Sequence, residues 1–202
     1  MAGRPNTARA ASEASAPTAP LLAEIERLKR DLSRAERRIA ELEARADVDP
    51  LLDILNRRGF ERELARSLGY VGRYRAAAAL VYIDLDGFKG VNDRHGHAAG
   101  DRLLKLAAQA LVRHVRSSDV VGRLGGDEFT VLLWNLTAEQ AEAKGRELEA
   151  VVAAAGLGEG ASRLSVGASA GSVPLRGDLS PAQAIEAADV AMYARKKQRR
   201  PG

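Results

Sequence analysis

Two short apolar runs flank Arg123-Leu124-Gly125-Gly126-Asp127-Glu128-Phe129: Val120-Val121 before it and Phe129-Thr130-Val131-Leu132-Leu133 after it. Apolar strands joined by Gly-Gly and an acidic pair dictate a tight β-hairpin. The glycines take backbone angles closed to other residues and let a ligand approach the main chain. Asp127 and Glu128 then fall side by side at the tip. Adjacent carboxylates repel each other unless water, a cation or a proton relieves them. A bland acidic turn meets that need with water alone, so this stretch by itself leaves a turn and a cation site both open.

A chain of 202 residues has room for one domain and an appendage. Aromatic residues are only 4% of it, so Ala and Leu must supply much of the core. The absence of cysteine excludes disulfides and a thiolate metal site. No stretch approaches the ~18 apolar residues of a membrane span, and residues 1–20 lack the apolar core of a secretory signal. The expectation is a cytoplasmic protein. The net charge of +4 comes from the tail: without Arg195, Lys196, Lys197, Arg199 and Arg200, 26 basic residues face 27 acidic ones. The body carries no basic stripe, which argues against DNA as a partner.

Residues 1–20 are rich in Ala, Ser, Thr and Pro and lack periodicity, the composition of a disordered leader. From Leu21 the apolar positions alternate spacings of four and three. Leu21, Leu28, Ala35 and Leu42 fall at d, and Ile25, Leu32, Ile39 and Ala46 at a, of a heptad seam. β-Branched residues at two a sites and Leu at three d sites favour a parallel two-stranded coiled coil over residues 21–47, hence a homodimer. The alternative is one amphipathic helix folded back on its own domain; the narrow seam and charged flanks favour the coil.

Asp49-Pro50 stops or bends that helix, because the residue before proline avoids the α region. A new helix begins near Asn56 and carries Phe60, Leu64 and Leu68. Residues 76–83 read as a strand buried on both faces, ending in Asp84-Leu85-Asp86-Gly87. Carboxylates at the carboxyl end of a strand lie where sheet-based active sites form. Gly96, Gly100 and the residues between them read as a loop, followed by a helical face of Leu103, Leu104, Ala107, Leu111 and Val115. After the hairpin, Thr137 to Gln140 is a capping box opening a helix with Ala141, Leu148 and Val152 buried. Residues 164–173 form a small-residue strand, and a second capping box, Ser180 to Gln183, opens a helix lined by Ile185, Ala188 and Met192. The core order β-α-β-β-α-β is the ferredoxin-like signature, of class α+β, which hosts many functions.

With these residues in place, the chain resembles the GGDEF family of diguanylate cyclases. Gly125 to Phe129 is the family's name motif; Asp84 to Lys89, Asn92-Asp93, Gly96-His97 and Gly100-Asp101 support it. Asp49 to Arg58 echoes the opening signature, and Ala188 to Tyr193 with Lys196 the closing one. The resemblance implies a palm-type nucleotide cyclase domain over residues 48–202, with a central, mainly antiparallel sheet and flanking helices, preceded by the coil. It implies condensation of two GTP into cyclic di-GMP and two pyrophosphates, with two Mg²⁺ or Mn²⁺ per site. Hard cations held by oxygen suit in-line phosphoryl chemistry. By resemblance Asp84, Asp127 and the Leu85 carbonyl are metal ligands, and Glu128 is a further ligand or a helper in deprotonating the ribose hydroxyl. The choice between Asp127 and Glu128 as proton acceptor stays open. Lys89, Lys196 and Arg200 would meet phosphate, Asn92 and Asp101 the guanine edge, and His97 the nucleotide; Gly125 and Gly126 would lie against the substrate.

Arg116-Ser117-Ser118-Asp119 fits the family's RxxD motif, so Arg116 and Asp119 would bind product and hold the domain unproductive. The bland alternative is a helix-end ion pair at i, i+3. One departure stands out: where the family has Leu-Thr-Gly-Leu, this chain has Leu51-Leu52-Asp53-Ile54, which removes the Thr-Gly pair of the usual hinge between coil and catalytic domain. The expected protein is a homodimeric cyclase open to an upstream regulatory protein; the rival is a catalytically silent cyclic di-GMP receptor or coiled-coil adaptor.

Overall fold

The computed structural model of the chain describes residues 18–45, 47–158 and 164–199. Most of the expected leader and Arg200 lie outside the described residues. Helix α1, Thr18–Arg45, begins earlier than expected, since residues 18–20 are already helical. Pro20 is tolerated there because first-turn amides have no intrahelical acceptor. Leu21, Ile25, Leu28 and Leu32 are 44–60% exposed on the single chain, while the later seam positions Ala35, Ile39, Leu42 and Ala46 lie outside the described side chains. Glu24–Arg27 and Glu26–Lys29 ion pairs run along its flanks.

The second unit, residues 46–202, is built on a five-stranded sheet of order β1-β3-β4-β2-β7. The strands are β1 (Leu55–Asn56), β2 (Ala78–Asp86), β3 (Val120–Gly125), β4 (Glu128–Trp134) and β7 (Gly167–Pro174). Only β1–β3 is parallel; β3–β4, β4–β2 and β2–β7 are antiparallel. The four strands after β1 thus carry the ferredoxin-like order expected of the sequence. Val81, Ile83 and Leu85 of β2 pack against α4 (His97–Arg113) and α5 (Ala138–Ala154). Leu80 and Tyr82 pack on the opposite face against α2 (Arg57–Tyr74) and α6 (Pro181–Arg199).

Local chemistry sets these elements. Asn56 caps α2 through its side-chain oxygen, which accepts from Gly59 N at 3.0 Å. Both expected capping boxes form: Thr137 with Gln140, and Ser180 with Gln183. Two expectations are corrected. The segment before α4 is the helix α3, Phe88–His95, which buries Phe88 and Val91 and breaks at Gly96, where φ is 76°. Gly100 is therefore not a loop residue; a Cβ there would lie 1.9 Å from Asn92 Oδ1, so it is the seat on which α4 receives α3. The strand expected over 164–173 is split: β6 (Leu164–Ser165) pairs with β5 (Gly156–Leu157) in a separate ribbon, and β7 alone joins the sheet.

Helix α6 lies directly on β7 at Gly171, where a Cβ would be 2.0 Å from Met192 N. Gly171→Ala is expected to destabilise the domain by about 2 kcal/mol. Gly69→Ala, inside α2 with nothing within 4 Å, is expected to stabilise by up to about 1 kcal/mol. Urea denaturation of the two variants checks the opposite signs.

Candidate catalytic site

The sheet register assembles the acidic edge. Asp84 sits directly across from Glu128, and Leu85 N donates to Asp127 O at 3.1 Å. The hairpin turns through Gly125 and Gly126, with φ of 150° and 51°, after a register shift between Arg123 and Gly125. Gly126 is in the left-handed region, which a side chain would strain. Of the expected pair at the tip, only Asp127 is in the turn; Glu128 is already the first residue of β4.

Two arginines brace the hairpin. Arg123 donates to Gly126 O from Nε (3.0 Å) and Nη2 (2.7 Å), and its Nη1 reaches Asp49 Oδ2 at 3.0 Å. Arg57 Nε donates to Leu124 O at 2.9 Å. Asp49 also caps the turn after it, accepting from Leu51 N and Leu52 N. That turn keeps a left-handed residue where the family's glycine would stand, since Asp53 has φ of 56°.

Burial, and next the charge of Asp84, push the Asp127 pKa up; its own backbone hydrogen bond, Lys196 and Arg123 act the other way. The Asp84 charge is thus close enough to disfavour ionisation of the half-buried Asp127. Lys196 of α6 contacts Asp84 Oδ1 and lies 3.0 Å from Asp86 Oδ1, while Ser169 Oγ donates to Asp86 Oδ2 at 2.9 Å. Burial works against the Lys196 charge, but the hydrogen bonds to Asp84 and Asp86 outweigh it and raise its pKa. An ammonium bridging carboxylates marks where positive charge is wanted, and an all-oxygen donor set suits a hard cation. Among the described residues no three His, Asp or Glu side chains converge as a metal cluster. Glu128 instead faces the buried Tyr82, whose pKa is raised by burial and by that carboxylate.

The remaining sequence-predicted residues divide by place. Asn92 is half-buried, and its Oδ1 has no hydrogen-bond partner, an acceptor left for a donor. Asp101 is exposed on the first turns of α4, beside Gly100, and His97 is exposed at the start of that helix. Lys89 is exposed on the first turn of α3 and makes no ion pair among the described residues; Lys196 occupies the carboxylates instead. Arg116 and Asp119 precede β3, at the end opposite the glycines, about 20 Å away by strand rise. The Arg116 and Asp119 side chains form no ion pair with each other; their contact runs through the main chain. Asp119 Oδ2 accepts from Arg116 N (2.9 Å) and Oδ1 from Trp134 N (3.1 Å), and the Arg116 side chain stays exposed. Asp86 is one of the two strand-end aspartates of the sequence reading but was given no site role there; Arg57, Arg123 and Tyr82 were not singled out, and of these only Arg57 and Arg123 carried a signal, as basic residues of the two motifs.

A split β-α-β sheet with carboxylates from a buried strand end and a glycine hairpin defines a palm-type nucleotide cyclase domain. The description "Diguanylate cyclase, GGDEF domain" matches residues 46–201. The chain belongs to that family. It is 41% identical over 169 residues to the probable diguanylate cyclase DgcE of Escherichia coli K12, a match covering 82% of this chain but 15% of that protein. The crystal structure of Pseudomonas aeruginosa diguanylate cyclase SiaD with its activator SiaC superposes with TM-score 0.71 at 30% identity, covering 91% of this chain and 72% of that one. The coiled coil and GGDEF domain of Caulobacter crescentus DgcB, in complex with c-di-GMP, shares the fold at TM-score 0.73 and 24% identity, over 89% and 96% of the chains.

The Asp127 carboxyl has its folded pKa above its unfolded one, so ionising it costs stability as pH rises through that interval. Asp127→Asn is therefore expected to raise metal-free stability near pH 7, by under about 1 kcal/mol after solvent screening. The gain should fade on acidification below the unfolded pKa. Thermal melts in chelator at neutral and acid pH check it.

Proposed function

We propose that the chain is a diguanylate cyclase, condensing two GTP into cyclic di-GMP with release of two pyrophosphates. The observation that carries this reading is the acidic edge, where Asp84 lies close enough to Asp127 to raise its pKa and is itself held by Lys196, which also reaches Asp86. Asp84, Asp127 and the Leu85 carbonyl would hold divalent cations, Mg²⁺ or Mn²⁺, two per site with the triphosphate, which when bound neutralise phosphate charge and acidify the ribose 3′-hydroxyl.

The residues divide the remaining work. Asn92 offers an unpaired acceptor, and Asp101 a carboxylate, to the donors of a guanine edge. Lys196 exchanges Asp84 for phosphate, joined by Lys89 and Arg200, with His97 as a further nucleotide contact. Gly125 and Gly126 leave room for the substrate against the hairpin backbone. Asp127 or Glu128 takes the proton as the 3′-oxygen attacks the other GTP's α-phosphorus and pyrophosphate leaves.

One domain of this kind offers one site, so ring closure needs two copies facing each other. The exposed seam of Leu21, Ile25, Leu28 and Leu32 is the surface that would pair them, raising the local concentration of one site at the other. Arg116, with no ion pair among the described residues, and Asp119 would bind product as an inhibitory site. The enzyme would act in the cytoplasm. A protein activator like that of SiaD would have the coil and its junction to act on.

Full-length chain given GTP and Mg²⁺ is expected to form cyclic di-GMP, and Asp127→Ala to lower the rate by about 10³-fold or more. Product binding without turnover would instead support the silent receptor. Leu28→Lys is expected to shift sedimentation towards monomer and lower turnover at low protein concentration. Arg116→Ala is expected to leave the initial rate intact while lifting the plateau set by accumulated product; progress curves separate the two.

A further inference from the structure

The end of α6 is anchored from both sides of the edge strand β7. On one side Lys196 bridges Asp84 and Asp86. On the other, the preceding residue Arg195 grips Glu149 of α5 with two prongs, Nε–Oε1 at 2.6 Å and Nη2–Oε2 at 2.8 Å. Glu149 is 5% exposed. Its Oε1 also accepts from Ala170 N at 2.8 Å, on the edge of β7 that no strand of the main sheet covers. Ala170 and Ser169 lie across from Ile83 and Asp84 in β2, and Ser169 holds Asp86. The contacts form a closed ring: Glu149, β7, the carboxylates of β2, Lys196, Arg195 and Glu149 again.

Consecutive helix residues point about 100° apart, so a helix crossing an edge strand can send one cation to each face. One turn earlier α6 is already seated on Gly171. Beyond that seat Arg195 and Lys196 supply the ion pairs of its end among the described residues, to α5 and to β2. A buried ion pair adds little net stability compared with a packed apolar pair, and its best-attested use is to fix one arrangement.

We propose that Arg195 and Glu149 are positioning residues for Lys196. Their buried contact holds the end of α6 on β7, so the ammonium keeps its place when it exchanges a carboxylate for a nucleotide phosphate. This rests on the reading of the acidic edge as a triphosphate site.

The test is calorimetric titration of full-length chain with Mg²⁺ and a GTP analogue whose α–β bridge cannot be cleaved. The variants are Arg195→Met, Glu149→Gln, Lys196→Met and the pairing of each of the first two with Lys196→Met. Hydrogen exchange over residues 190–199 is followed on the same samples. Arg195→Met is expected to weaken binding about tenfold and to speed exchange at the end of α6. In the Lys196→Met background it should cost nothing further, because its effect passes through that side chain. Glu149→Gln keeps an oxygen for the Ala170 amide, so it carries the decision if Arg195→Met fails to fold, with the same pattern expected. Unchanged affinity in folded Glu149→Gln, or equal losses with and without Lys196, overturns the positioning role while the triphosphate site stands. A wild-type chain that binds no analogue overturns the triphosphate site and the inference with it.

Discussion

The antiparallel register of β2 against β4 puts like charges together and cannot be relaxed without undoing the core. Asp84 faces Glu128 because Ile83 faces Phe129 and Val81 faces Val131, and these four apolar side chains are fully buried. A slip of one residue would turn that whole set to the other face. The packing of the sheet therefore fixes a repulsion at its edge, which Lys196 offsets in part. The energy stored there is modest, but it makes the edge bind positive charge, and the neighbouring Asp127 is held above the usual carboxylate range by burial and by the charge of Asp84.

What was legible in the sequence was local. Asn56, Thr137 and Ser180 announced three helix starts because a cap needs only four consecutive residues. Residues 76–83 announced a central strand, observed at Ala78–Asp86, because burial on both faces leaves an apolar run up to Asp84. Helix α3 was missed because it buries only Phe88 and Val91, too few for a period to show. The contacts that hold the site in shape were also illegible, for a different reason. Arg57 reaches Leu124 across 67 positions, Arg195 reaches Glu149 across 46, and Lys196 reaches Asp84 across 112. Nothing in the spacing of a charged surface residue tells which carboxylate the fold will bring to it. Family resemblance supplied Lys196 but not its occupation of Asp84, and it assigned Lys89 to phosphate, where the structure shows an exposed side chain with no ion pair among the described residues.

The replacement of the usual Thr-Gly pair is the place where composition misleads and conformation decides. The turn after Asp49 is held by Asp49 itself, one oxygen capping Leu51 and Leu52 and the other on Arg123. Arg123 in turn holds the Gly126 carbonyl. Entry turn and hairpin tip are thus one hydrogen-bonded unit, and the turn needs a residue at its end that can adopt positive φ. Asp53 does so at 56°, at a cost of roughly 1–2 kcal/mol relative to glycine and least for Asn and Asp, which can bond locally. Leu52 and Ile54 on either side of it are nearly fully buried, which offsets the strain. The backbone path into the hairpin is therefore kept without the residues that usually encode it, and the geometry at Gly126 does not depend on glycine at position 53.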